Sequence, residues 1–360
     1  MRLPRPVLRL AALALGGLAG LLAAEGLVRG VWLLRHGTST DRGGYSDRFL
    51  EHHERFGWLG IPGRRVRHRT TEFDVELAID DAGLRGSAVG SGRRRVCLLG
   101  DSFAFGHGVE QHERLGDRLS ALEPELTVHT VALPGLGTDQ QLLLYRELEG
   151  PHAEAELVIL LYFLDGVARN GARSRHGLAK PWFELEGGEL VLRGIPVPDL
   201  SGESPPPSSE AGSLTTLRTW LRRHSALHRL LRRQLVTHAP TLVGGAEDPY
   251  PEYTNGAPAW SRTVALFEAL RDAAAERGAR LGLVVVPGLW HLVEGRTQAH
   301  QEAVLEACEQ LGIPALDLTP VLAGSSGEGG RDAYFPSDGH WRPQGHERAA
   351  QAIRSWLPEW

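Results

Sequence analysis

Val96 to Val109 reads VCLLGDSFAFGHGV. The apolar run Val96-Cys97-Leu98-Leu99 has the composition of a buried strand, and it stops at Gly100-Asp101-Ser102, with the small residues Ala104, Gly106 and Gly108 following. A strand therefore ends in a serine. Ligands of α/β sheets sit at the carboxyl ends of the strands, so this places the Ser102 hydroxyl where chemistry occurs, and the preceding glycine relieves crowding in the turn. Taken alone, Gly-Asp-Ser is equally the signature of an ordinary Asx-turn loop.

The far end of the chain separates these readings. Tyr334 to His346, YFPSDGHWRPQGH, carries a histidine with a carboxylate two residues before it. A serine nucleophile needs this pair, because the imidazole takes the hydroxyl proton while the carboxylate fixes its tautomer and stabilises the imidazolium. GDS and this segment together resemble the first and last blocks of the SGNH (GDSL-type) hydrolases. The resemblance implies Ser102 as nucleophile, His340 as base and Asp338 as its orienter. The family's last block is usually D-x-x-H; the D-x-H spacing here is similar to the DxHW variant of the alginate O-acetyltransferase-like branch. Asp332 is the alternative carboxylate. His346 falls in the G-H-x-x-A-A start of the last helix and reads as a packing histidine.

Between these ends, strands and helices alternate. Val96–Leu99, Thr127–Ala132, Leu157–Phe163, Leu281–Pro287 and Ile313–Leu318 have strand patterns. Glu113–Leu122, Asp139–Leu148, Thr263–Arg277, Gln298–Leu311 and Gly345–Trp356 have helical ones. Alternation of this kind predicts an α/β protein with helices on both faces of a parallel sheet, and the resemblance implies the three-layer, flavodoxin-like SGNH arrangement over residues 73–360. An insertion at about 171–258 is expected to form a cap. It holds a predicted hairpin around Gly187-Gly188, the linker Ser201–Ser209, and an arginine-rich amphipathic helix from Leu214 to Leu235. Residues 36–72, rich in Arg, His and Gly, are expected to be an irregular tether, and Phe73–Ile79 alternates like an edge strand.

A serine ester centre also needs amide donors aimed at the developing oxyanion. The Ser102 amide is the first. The segment Pro134-Gly135-Leu136-Gly137-Thr138-Asp139-Gln140 resembles the family's second block and nominates Gly135 as the second. Where the third block usually presents an asparagine, this chain has Phe163-Leu164-Asp165, with Asn170 further on. Asp165 stands at the expected position when counted from Asn170, and Leu164 does when the block is aligned on the following Asp-Gly; an ionised Asp165 would repel the oxyanion, a protonated one could donate to it, and Asn170 is the alternative donor.

Composition bounds the remaining classes. The chain has 360 residues, 39 Lys plus Arg against 44 Asp plus Glu and a formal net charge of −5, so it lacks the footprint of a nucleic-acid binder. Cys97 and Cys308 are its only cysteines and both read as buried apolar residues, which leaves no disulfide framework. Its 16 histidines show no H-E-x-x-H spacing, so neither a metal nor any other cofactor is assigned. Arg2, Arg5 and Arg9 precede the uncharged stretch Leu10–Ala24, an export signal read as an uncleaved anchor over residues 1–35, with a cleaved signal peptide as the alternative. Glu25 and Arg29 sit at pairing distance on that helix.

These readings predict an extracytoplasmic, membrane-anchored serine esterase acting on O-acyl or O-acetyl esters, with acylated carbohydrate of the cell envelope as a candidate substrate. O-acetyl transfer, and a catalytically impaired binding or assembly protein, are the alternatives.

Overall fold

The computed structural model describes residues 5–36, 48–200, 256–294, 298–324 and 332–357 apart from positions 71, 87, 176 and 337, together with 225, 227, 228, 253 and 330. The chain divides into two compact units, Met1–Thr40 with Ser204–Glu247 and Asp41–Glu203 with Asp248–Trp360.

In the first unit a 32-residue helix spans Arg5–His36. The expected pair forms: Arg29 Nε donates to Glu25 Oε1 at 2.7 Å, while Glu25 Oε2 accepts from Ser225 Oγ and the Leu227 amide. Leu15, Leu18, Leu21, Leu22 and Leu27 are each more than half exposed. Among the described residues no helix is long and apolar enough to cross a membrane. The Ser201–Ser209 linker and nearly all of the expected Leu214–Leu235 helix lie outside the described residues.

The second unit opens with two antiparallel ribbons, β1 (Leu50–His53) with β2 (Gly57–Gly60) and β3 (Arg65–Arg69) with β4 (Asp74–Ala78). Residues 48–69 are thus built structure rather than the expected irregular tether. Phe49, Phe56 and Trp58 enter the core, and their apolar signal is interrupted in sequence by the polar run 51–55, EHHER. β4, expected as a sheet edge, pairs only within its ribbon.

The central sheet has six strands: β5 (Ala88–Val89), β6 (Arg94–Gly100), β7 (Leu126–Ala132), β8 (Leu157–Phe163), β13 (Arg280–Val286) and β14 (Ala315–Asp317), in the spatial order β14-β13-β8-β6-β7-β5. All neighbours are parallel except the short β5. The five parallel strands have the 2-1-3-4-5 order of flavodoxin-like sheets. β8, LVILLYF, is buried over its first six residues, as befits a strand covered on both faces. The step from β6 to β7 runs one way along the sheet and every later step runs the other. Right-handed crossovers therefore put Leu115–Leu122 on one face and Thr138–Glu147, Pro258–Glu276 and Gln298–Leu311 on the opposite one. Pro343–Trp356 packs beside Leu115–Leu122, completing the expected three layers.

The insertion carries β9 (Ser174–Arg175) paired with β10 (Leu178–Ala179), and the predicted hairpin β11 (Trp182–Glu186) with β12 (Glu189–Arg193). Its turn places Gly187 and Gly188 at φ 60° and 95°, the left-handed pair a tight hairpin requires. Cys97 and Cys308 are free and buried, and burial pushes the Cys308 thiol up to about 12.

Candidate active site

The reversal of strand order falls between β6 and β8, and Ser102 follows β6 at its carboxyl end. Ser102 begins a single helical turn, Ser102–Phe105, whose first free amide, that of Phe103, is capped by Asp101 Oδ1 at 2.9 Å. Gly100 is needed for a physical reason: a Cβ there would stand 2.6 Å from Ala104 Cβ, so the turn could not fold back over the strand. The Ser102 carbonyl accepts from the amides of Gly106 and His107, which closes the loop.

The distant segment arrives as a short hairpin. Tyr334 bridges Trp341, the Phe335 amide donates to the His340 carbonyl, and the Tyr334 hydroxyl donates to the Pro287 carbonyl. Gly339 sits at φ 88°, and this left-handed residue between Asp338 and His340 lets two side chains only two positions apart face each other. His340 Nδ1 lies 2.6 Å from Asp338 Oδ1, and its Nε2 lies 2.7 Å from Ser102 Oγ. With Nδ1–H donating to Asp338 Oδ1, Nε2 is left as the acceptor for the serine hydroxyl. Asp332, the alternative carboxylate, is engaged with Arg348 instead. His346 is buried edge-on against Trp341, a packing position.

Asp338 accepts a second imidazole that the sequence reading did not single out. His107 Nε2 lies 3.3 Å from Asp338 Oδ2, and the His107 ring stacks on His340 with centroids 4.2 Å apart. Burial would raise the Asp338 carboxyl, but the hydrogen bonds from His107 and His340 outweigh it and hold the group well below the usual carboxylate range. His107 itself is lowered to about 4, by burial and by the neighbouring His340, so it is neutral at ordinary pH. Ligand atoms of His107, Asp338 and His340 fall within 4.8 Å of one another, close enough for a metal ion.

The oxyanion candidates divide. β6 and β7 pair in register, Gly100 beside Ala132, so Ser102 and Gly135 both emerge at the same end of adjacent strands; Gly135 is buried at φ 83°. The third-block candidates are committed elsewhere. Asp165 accepts from Arg169 Nε at 2.9 Å and Arg175 Nη2 at 3.2 Å, which makes it the acceptor of two guanidinium groups and not a donor. Asn170 is fully buried, its Oδ1 accepting from the Thr138 amide at 2.7 Å and its Nδ2 donating to Thr263 Oγ1 at 3.0 Å. Its amide is therefore used to hold the start of the helix Thr138–Glu147. Gly137 fits the same arrangement, since a Cβ there would meet Asp139 Oδ1 at 2.6 Å and Asn170 Oδ1 at 2.9 Å.

Three ion pairs, two of them fully buried, fix these loops, and none carried a sequence signal. Arg169 binds both Asp101 and Asp165, and Lys180, the only lysine of the chain, binds Asp139. Burial opposes the Arg169 charge, and the two carboxylates restore it.

A hydroxyl, an imidazole and a carboxylate in series at the end of a parallel strand define the serine acyl-transfer class of site. Residues 247–359, which include Asp338 and His340, match the family described as SGNH hydrolase-like domain, acetyltransferase AlgX. The chain thus combines a three-layer α/β fold and a 2-1-3-4-5 parallel sheet with a likeness to that family toward its C-terminus. Among solved structures it is similar to a lipase/acylhydrolase from Enterococcus faecalis (12% identity, 74% of this chain and 96% of that one, TM-score 0.38). It is also similar to a GDSL-like lipase from Bacteroides thetaiotaomicron (12% identity, 74% and 88%, TM-score 0.36) and to the esterase EstA from a Pseudoalteromonas species (12%, 74% and 99%, TM-score 0.35). No curated protein matches the chain.

Proposed function

We propose that this chain is a serine enzyme that transfers the acyl group of O-acyl or O-acetyl esters through Ser102. The observation that carries the reading is the unbroken series Ser102 Oγ, His340 Nε2, His340 Nδ1, Asp338 Oδ1, with contacts of 2.7 and 2.6 Å. In this reaction His340 Nε2 takes the Ser102 proton as Oγ attacks the ester carbonyl. The oxyanion faces the Ser102 and Gly135 amides. His340 then returns the proton to the departing alkoxide, and a second hydroxyl resolves the acyl-enzyme by the reverse steps. Water as that hydroxyl gives an esterase; a carbohydrate hydroxyl gives an O-acetyltransferase, and the AlgX likeness of residues 247–359 favours this second reading.

The substrate class we propose is acylated carbohydrate outside the cytoplasmic membrane, with the chain held there by its N-terminal helix. The support for the anchor is in the sequence, where Arg2, Arg5 and Arg9 precede the uncharged stretch Leu10–Ala24, although among the described residues no helix is long and apolar enough to cross a membrane. Retention of the protein in the membrane fraction after an alkaline carbonate wash is the expected result; release into the supernatant would remove the anchor from the reading.

The deciding experiment is turnover of p-nitrophenyl acetate and labelling by a fluorophosphonate probe, compared between the full chain and Ser102→Ala. Expected is turnover and labelling at Ser102, both abolished by the substitution. Absence of both in the unaltered protein would sink the enzyme reading and leave a binding or assembly role.

A further inference from the structure

We infer that His107 is a positioning residue for the Ser102 centre: it fixes the free oxygen of Asp338 so that the short D-x-H spacing can aim His340 at the serine. This rests on the serine-enzyme reading above and adds a fourth member to its machinery.

The argument starts from the weakness of the D-x-H arrangement. Asp338 and His340 leave the same exposed turn, and about a quarter of each side chain remains open to solvent. The Asp338 carboxylate has two oxygens. Oδ1 is used by His340, through both the ring Nδ1 and the His340 amide at 3.2 Å. Among the described residues, Oδ2 has no hydrogen bond within its own turn, and a carboxylate free to rotate about χ2 would carry Oδ1 away from the imidazole. His107 Nε2 meets Oδ2 from another element.

His107 is well suited to this because it is itself rigid. Gly106 and Gly108 flank it at φ 80° and 82°, and the His107 amide is tied to the Ser102 carbonyl at 3.0 Å, so nucleophile and support belong to one loop. A Cβ on Gly108 would lie 2.8 Å from Phe335 and 3.0 Å from Phe73, so the loop is pressed against the hairpin that carries Asp338. The His107 ring is wedged edge-on between His68 and Phe73 and stacks on His340. With its side chain only 7% exposed, it can supply Asp338 with a hydrogen bond that water does not replace. Ser102, His107, Asp338 and His340 thereby form a closed ring of contacts, in which the loop after β6 holds both ends of the relay.

The test uses the full chain with His107→Phe and His107→Gln. Phe keeps the ring and its stack but removes the donor; Gln loses the ring but places an amide donor near the position of Nε2. Two measurements are made: kcat and KM for p-nitrophenyl acetate, and the strongly downfield proton resonance of the His340 Nδ1 to Asp338 hydrogen bond. His107→Phe is expected to lower kcat about tenfold or more, leave KM within about twofold, and lose or shift upfield the Nδ1 proton; His107→Gln is expected to recover most of both. An unchanged kcat and an unmoved resonance in folded His107→Phe overturns the inference, as does equal loss in both variants with matched thermal stability. If the unaltered chain turns over no ester, the functional reading fails by itself, and the proton resonance still decides whether His107 positions Asp338.

Discussion

Asp101 and Arg169, 68 positions apart in the chain, form an ion pair whose side chains are 2% and 6% exposed, immediately next to Ser102. The same guanidinium holds Asp165 at 2.9 Å, so one arginine ties the loop after β6 to the loop after β8. The sheet brings these strand ends together, and Arg169 fixes the angle at which they meet.

Arg169→Ala should therefore unfold more readily than the parent by about 3–5 kcal/mol, because it strands the buried Asp101 carboxylate. Urea denaturation measures this. Asp101→Asn combined with Arg169→Met should recover part of the loss, since no buried charge is then left alone.

Asp338→Asn should lower kcat for an ester substrate by roughly 10³–10⁴-fold with the fold intact, as expected when a histidine loses the carboxylate that sets its tautomer. Asp332→Asn, which alters the Arg348 pair and lies outside the Ser102–His340–Asp338 series, should leave kcat within about twofold. Steady-state kinetics with circular dichroism distinguishes these outcomes; a large loss in the second variant would move the orienting role to Asp332.

Asn170→Ala tests a structural assignment. Removing its amide leaves the Thr138 amide without its acceptor in a buried site, which costs about 1–3 kcal/mol. Fluorophosphonate labelling of Ser102 below the melting temperature should persist. Stability unchanged with labelling abolished would return Asn170 to the oxyanion site.

Acid should destabilise the protein from a higher pH than its carboxylates alone would dictate. Burial holds His107, His152 and His291 at about 4 and His346 at about 3 in the folded chain, against an ordinary value near 6.5. The unfolded chain binds protons below about pH 6.5 and the folded chain does not, so this contribution is fully present above that pH. It is lost progressively as the pH falls toward the folded values, at up to about 1.4 kcal/mol per unit for each histidine. Thermal melts between neutral pH and pH 4 should show a steady decline starting near 6.5; a plateau down to pH 5 would contradict it.

The parts of this architecture legible in the sequence are those that repeat a local pattern. β6, β8 and β13 are continuous apolar runs, and Asp338-Gly339-His340 announces its chemistry within three residues because the glycine needed for the turn lies inside the motif. The ribbons over residues 50–69 were hidden, since each strand has four or five residues, the polar run 51–55 breaks the apolar pattern between β1 and β2, and the arginines of β3 mask its one buried position. The ion pairs were hidden for a different reason: with 39 basic side chains in the composition, nothing local marks Arg169 or Lys180 as the ones that turn inward. His107 carried a faint signal, a histidine between two glycines close after the serine, whose meaning depends on a hairpin 231 residues away.

That separation also has a consequence in time. Ser102 and His340 are 238 residues apart, and the strand order places β6 in the middle of a sheet whose far edge is made by the last of its described strands. Chains grow from the N-terminus at about 5–20 residues per second, so roughly 10–50 seconds pass between synthesis of the nucleophile and synthesis of its base. Throughout that interval the serine has no partner to remove its proton. On the serine-enzyme reading proposed above, activity arises only with completion of the chain, and one truncated before Asp338 should be inert however well its sheet has formed.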